Sequence, residues 1–202
     1  PVARARAMRA RLAEFHGEFA YYERPGAGHW WGNACVDWPA MFEFFQRHAR
    51  PALEDVRHVD FITANPGVSS RCDWLTIEAQ IRPLNLSSAD IRLDAEHNAF
   101  TGKTENVERL TLELVAMRKT WAARKPVKDD DSSTPAAPPS SVSVTLDGQT
   151  LTDIPVPDGD QPLYFTRSVE GWSLSGPAAP SLKGPRRYGP FKDGFRNRMI
   201  FV

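Results

Sequence analysis

Near residue 56 the sequence changes character, from stretches with helical apolar spacing to short β-like runs. Downstream, short runs alternate apolar with polar side chains: Val59-Asp60-Phe61-Ile62-Thr63, Trp74-Leu75-Thr76-Ile77-Glu78-Ala79, Ala89-Asp90-Ile91-Arg92-Leu93 and Arg109-Leu110-Thr111-Leu112-Glu113-Leu114. Successive side chains of a strand point to opposite faces, so such runs suit sheets with one dry and one wet face. Clusters of Asn, Pro, Gly and Ser separate them, which predicts antiparallel β structure. Val142–Leu146 and Gln149–Thr152 flank Asp147-Gly148, a dipeptide that two-residue hairpins favour. A second hairpin is predicted where Leu163–Arg167 and Trp172–Leu174 flank Glu170-Gly171. The stretch from Phe100 to Val107 reads as a polar turn tied by Thr and Asn side chains, with a ligand loop as the alternative.

Upstream, Val2, Ala5, Met8, Leu12 and Phe15 recur at three- and four-residue spacing between arginines. This predicts an amphipathic helix with Pro1 in its first turn and Gly17 beyond its end. The aromatic run Phe19-Ala20-Tyr21-Tyr22-Glu23 reads as a short buried strand entering a loop at Pro25-Gly26. Met41, Phe42, Phe44, Phe45 and His48 give a second helix its apolar face, with Asp37 expected as its cap before Trp38-Pro39.

Residues 124–141 are almost devoid of large apolar side chains and cannot bury enough surface to offset the entropy of ordering them, so they read as a linker. The trio Asp129-Asp130-Asp131 within them lacks the Gly turn and later Glu of a calcium loop. The organisation expected is an α-β-α unit over 1–51, a β-rich region over 56–121, a linker over 122–141 and more β structure over 142–202. Pro1 in a helical turn and the apolar Met199-Ile200-Phe201-Val202 at the other end suggest a segment of a larger protein.

Charge excludes some functions. Lys+Arg and Asp+Glu both number 25, so no net field draws the chain to nucleic acid or anionic lipid. No apolar stretch approaches the roughly 20 residues of a membrane-spanning helix. Cys35 and Cys72 are too few for a disulfide framework and lack metal-ligand spacing; they read as free thiols and leave the compartment open. Neither a cofactor nor a metal is expected.

The stretch from 16 to 50 carries the chemical information: strand, PGAGHWWG, helix. A histidine in a Gly-rich loop between a last strand and a last helix occupies the place of the general base in a Ser, Asp/Glu, His triad. Over roughly residues 1 to 50 the chain resembles the prolyl oligopeptidase family of α/β-hydrolases and its esterase-like relatives. ARAMRARL matches the penultimate helix, FAYYERPGAGHWWG the last strand with its histidine loop, and DWPAMFEFFQRH the terminal helix. The resemblance implies a mixed α+β chain, in which the last α-β-α unit of an α/β-hydrolase fold precedes an antiparallel β-sandwich-like region. It also implies that His29 is the triad histidine, that nucleophile and acid lie upstream, and that the substrate is an ester or a peptide. The upstream hydrolase domain of the same polypeptide is then the implied partner, and this chain by itself is inert.

Trp30 and Trp31 are candidates for the substrate pocket, although an aromatic pair after a tight loop serves core packing equally well. His16, His48, His58 and His97 have no partner spacing and read as structural. A self-contained site, with Asp37 or Asp73 as acid and Ser69 or Ser70 as nucleophile, lacks the strained turn or helix N-terminus that activates a serine. The string Gly171-Trp172-Ser173-Leu174-Ser175-Gly176 has serine where a nucleophile elbow needs its second glycine, and reads as a hairpin strand. A second function remains open: a non-catalytic β-sandwich binding module for carbohydrate or peptide, attached to a hydrolase scaffold. An exposed aromatic row on a sheet would favour it.

Overall fold

A strand that alternates apolar and polar residues buries its apolar face only against another layer, and this chain supplies that layer from its own second sheet. The computed structural model describes residues 2–123, 139–182 and 185. Most of the expected linker, with Asp129–Asp131, lies outside the described residues, as do Pro1 and Met199–Val202. Tertiary contacts divide the chain into two units, Pro1–Pro51 and Ala52–Val202.

Among its described residues the second unit contains ten strands: β1 (His58–Thr63), β2 (Arg71–Cys72), β3 (Leu75–Gln80), β4 (Ser87–Asp94), β5 (Ala99–Glu105), β6 (Val107–Leu112), β7 (Ser141–Leu146), β8 (Gln149–Pro155), β9 (Leu163–Ser168) and β10 (Gly171–Ser175). They form two five-stranded sheets, ordered β1-β4-β5-β7-β8 and β10-β9-β6-β3-β2. Ile91, Leu93, Phe100, Val144 and Leu146 of the first sheet share one core with Leu75, Ile77, Leu110, Leu112 and Phe165 of the second. Each such side chain, fully buried, contributes on the order of 1.5–3 kcal/mol relative to exposure. Trp74 sits at the centre, its ring centroid 5.3 Å from that of Phe100. Its indole N–H donates to the Val56 carbonyl at 3.0 Å, so the burial leaves no donor unpaired.

Every strand pair is antiparallel except β5–β7, which is parallel. β5 corrects the polar turn expected around residues 100–107. Its Phe100 faces the core while hydrogen bonds to β4 and β7 hold it on both sides, so ladder pairing overrides a polar composition. Gly102 permits that central position, because a Cβ there would fall on the Asp90 carbonyl oxygen and lie 2.8 Å from Ile91 Cγ1. A third helix, absent from the sequence reading, follows β6: α3 here denotes Val115–Ala123, which buries Ala116, Met117 and Trp121. The Trp121 indole N–H donates to Asn98 Oδ1 at 2.6 Å.

Two polar knots bind the sandwich. The first is the corner between β5 and β6, where the chain passes from one sheet to the other through the single residue Asn106, at φ +55. Asn tolerates this left-handed conformation better than most residues. Its buried side chain accepts from the Arg82 amide at 2.7 Å and faces the carbonyls of Arg82, Asn85 and Leu86 with its NH2 group. Ser87 Oγ donates to the Asn106 carbonyl at 2.8 Å, and Gln80 Nε2 reaches Asn85 and Ser87. The second knot is Asp147, at the β7–β8 turn. Its carboxylate accepts from the Thr104 amide and hydroxyl of the first sheet, and from Arg167 and the Trp172 indole of the second, at 2.6–3.1 Å. Gln149 adds a bond in each direction to the backbone of Trp172.

The first unit contains helices α1 (Val2–Ala13) and α2 (Pro39–Arg47) with a short 3-10 turn, Gly32–Cys35, between them. No strand forms over Phe19–Glu23, which corrects the strand expected there: a strand requires a hydrogen-bonded neighbour, and none lies beside it among the described residues. Nor does Asp37 cap α2. Trp38 occupies the N-cap without a side-chain bond, and Pro39 starts the helix with the fixed φ that suits its first turn. None of the described residues of this unit is fully buried. Met8, Phe15, Phe42 and Phe45 are exposed.

The Asn106 corner predicts a large single-residue effect. Asn106→Ala leaves buried backbone carbonyls without donors and keeps a strained φ, so the unfolding free energy is expected to fall by about 3 kcal/mol. Chemical denaturation of the two proteins measures it, and an unchanged midpoint would show that the corner does not hold the sheets.

Candidate active site

The site is built from the segment between α1 and α2. Gly26 and Gly32 adopt φ +73 and +69, a region open to glycine at little cost, and His29 sits on the loop between them. The Ala27 amide bonds to the Arg24 carbonyl at 3.3 Å and closes the turn that starts this loop. Aromatic rings fasten its two sides: Tyr22 stacks on Trp38 at 5.6 Å between centroids, and Trp31 lies 6.5 Å from Tyr22. Together they tie the chain before the loop, the chain after it and the start of α2.

α1 is joined to the same segment by charge. Arg6 Nε and Nη2 form a two-pronged pair with Glu23, at 2.9 Å to Oε1 and 2.7 Å to Oε2, and the Tyr21 hydroxyl donates to Glu23 as well. The hydrogen bonds from Arg6 and then Tyr21, followed by the charge of Arg6, pull the Glu23 carboxyl down to about 2. Donating to an ionised carboxylate raises the Tyr21 hydroxyl above its usual range. The arrangement keeps Glu23 an anion at any ordinary pH.

These residues enclose an open groove of about 720 Å³, lined by α1 residues, by Tyr21–Arg24, by Pro25–Gly28, and by His29 and Trp31. His29 is exposed, and its ring has no hydrogen-bond partner among the described residues. The structure therefore places His29 and Trp31 on one groove. Trp30 does not line it, and its side chain stands 78% exposed. The Arg6–Glu23–Tyr21 cluster escaped the sequence reading. The signal was the i, i+2 placement of Tyr21 and Glu23, a lone carboxylate in an aromatic run opposite a helix whose charged residues are all arginines.

The other residues considered lie elsewhere and do not converge. Ser69 and Ser70 lend their carbonyls to Thr63 Oγ1 and the Ile77 amide, and Asp73 occupies a turn at φ +48. Ser173 lies within β10, its hydroxyl 3.4 Å from the Thr166 carbonyl. His48 contacts the Phe44 carbonyl and Glu18, His58 contacts Asp90, and His97 contacts Asp94. Cys35 and Cys72 form no disulfide with each other. Among the described residues no three His, Cys, Asp or Glu side chains converge as metal ligands would. Compared with protein-family models, characterised proteins and solved structures, the chain matches none.

The Glu23 pair has a testable acid dependence. Its folded carboxyl titrates below the ordinary value of 4.5, so the pair stabilises the fold above that value and is lost as pH falls toward about 2. Carbon-detected NMR of the Glu23 carboxyl should give a midpoint near that lower value, and Arg6→Gln should return it toward the ordinary range. A normal midpoint in the unaltered protein would mean that Arg6 and Glu23 do not pair in solution.

Proposed function

We propose that this chain is part of a serine hydrolase of the prolyl oligopeptidase-like type, acting on an ester or peptide bond, and that His29 is its general base. One observation carries the reading: a histidine without a side-chain partner among the described residues stands on a glycine-flanked loop beside a groove of substrate size. An upstream domain of the same polypeptide supplies the serine and the acid. His29 takes the serine proton during attack and returns it to the leaving group as the acyl-enzyme forms. In this reading Phe19–Glu23 is the last strand of the hydrolase sheet, paired when its neighbour is present. The exposed Met8, Phe15, Phe42 and Phe45 are the faces that the same domain covers. The β-sandwich is an accessory region.

The binding-module reading has less support. Trp74 and Trp172 of the sandwich and Trp121 of α3 are all buried, and among the described residues the outer faces of the sheets present no aromatic row. Without such a row the flat stacking surface that sugar rings favour is missing.

The test uses two proteins. The chain by itself should not hydrolyse p-nitrophenyl esters above buffer, and the polypeptide extended upstream to include a nucleophile should. In the extended protein His29→Ala should reduce kcat by about 10⁴-fold or more, as loss of a triad base does. Full activity of that variant would remove His29 from the mechanism.

A further inference from the structure

The groove beside His29 contains two guanidinium groups and one carboxylate. Arg6 commits its Nε and Nη2 to Glu23, and the Tyr21 hydroxyl donates to the same carboxylate. Glu23 is thereby spoken for. Arg24 is not: among the described residues its side chain has no acceptor, and its only partner is the Trp31 ring, whose centroid lies 5.2 Å from the guanidinium carbon. A guanidinium resting on an aromatic face is restrained in orientation, while its in-plane N–H edges stay available for a two-pronged bond to a carboxylate. Both Arg24 and Trp31 line the groove that His29 lines. Its volume of about 720 Å³ admits a ligand the size of a sugar or a short peptide.

We propose that this groove selects a substrate bearing a carboxylate, held by the Arg24 fork while the bond to be cleaved lies at His29. The assignment deepens the hydrolase reading and rests on it for the position of the reacting bond, but not for the anion site itself. Arg6, already neutralised by Glu23, shapes the groove without competing for the ligand. Trp31 orients Arg24, so it is a positioning residue for recognition. A neutral isostere of the same shape would leave the Arg24 fork facing water or unpaired.

The experiment titrates the 202-residue chain with benzoate and with benzamide, following the Trp31 indole N–H by NMR. Benzoate is expected to bind about tenfold or more tightly than benzamide, the ratio that a charge-assisted hydrogen bond supplies. Arg24→Gln should erase the difference, and Arg24→Lys, which keeps the charge but not the fork, should retain part of it. Equal binding of the two probes, no benzoate binding, or an Arg24→Gln variant that still prefers benzoate would each overturn the proposal. His29→Ala should leave the benzoate preference intact. If that preference holds while His29→Ala leaves the extended enzyme fully active, the hydrolase role of His29 falls and the carboxylate site stands.

Discussion

The sandwich depends on the Asn106 corner. A strand crossing between sheets normally needs a loop, and a loop near the core must satisfy its own amides and carbonyls. Here the crossing takes one residue, and its side chain satisfies the neighbouring crossing from β3 to β4 instead. Two changes of sheet are thereby fastened to each other at one end. The inward faces of β3, β4, β5 and β6 share one core, and Gln80 and Ser87 are buried without leaving a polar group idle. The Asp147 and Gln149 bonds link the two sheets through the β7–β8 hairpin, so both polar knots act between layers rather than within one.

Much of this sandwich was legible because a strand writes its burial into the sequence at period two. The runs around Val59, Ile77, Ile91, Leu110 and Val144 all form strands, displaced by a residue or two at their ends. Asp147 and Gly148 take φ +52 and +86, the conformation that their types favour. At the second hairpin the turn falls on Val169-Glu170, and Gly171 opens β10 instead. A side chain at Gly171 would meet Gln149 Oε1, a demand set by a distant strand and invisible in local sequence. β5 escaped for a related reason: only Phe100 reports the core in a run that its neighbours hold from both sides. The parallel pairing of β5 with β7 likewise depends on how the chain returns, which no local pattern records.

The smaller unit shows the opposite balance. Its helices were readable from apolar spacing, yet the apolar faces of α1 remain exposed and the aromatic run Phe19–Tyr22 forms no strand. Periodicity reports which face a segment offers, and it does not supply the partner. The loop was legible through Pro25, Gly26 and Gly28, since tight backbone needs those residue types. The arginine partners of the groove were not, because pairing between Arg6 and Glu23 spans 17 positions and follows from where α1 lies.

Asp147 has a further consequence, for the chemical ageing of the chain. Among aspartyl links, one followed by glycine is the most open to ring closure, in which the side-chain carboxyl carbon is attacked by the next backbone amide nitrogen and the link isomerises through a succinimide. Closure requires the carboxyl to rotate toward Gly148. In the folded protein Thr104, Arg167 and the Trp172 indole hold both carboxylate oxygens, and the hairpin fixes the backbone on either side. The bonds that clamp the sheets together therefore also protect the turn from covalent damage, and the lifetime of that peptide link follows the fraction of time the sandwich spends closed.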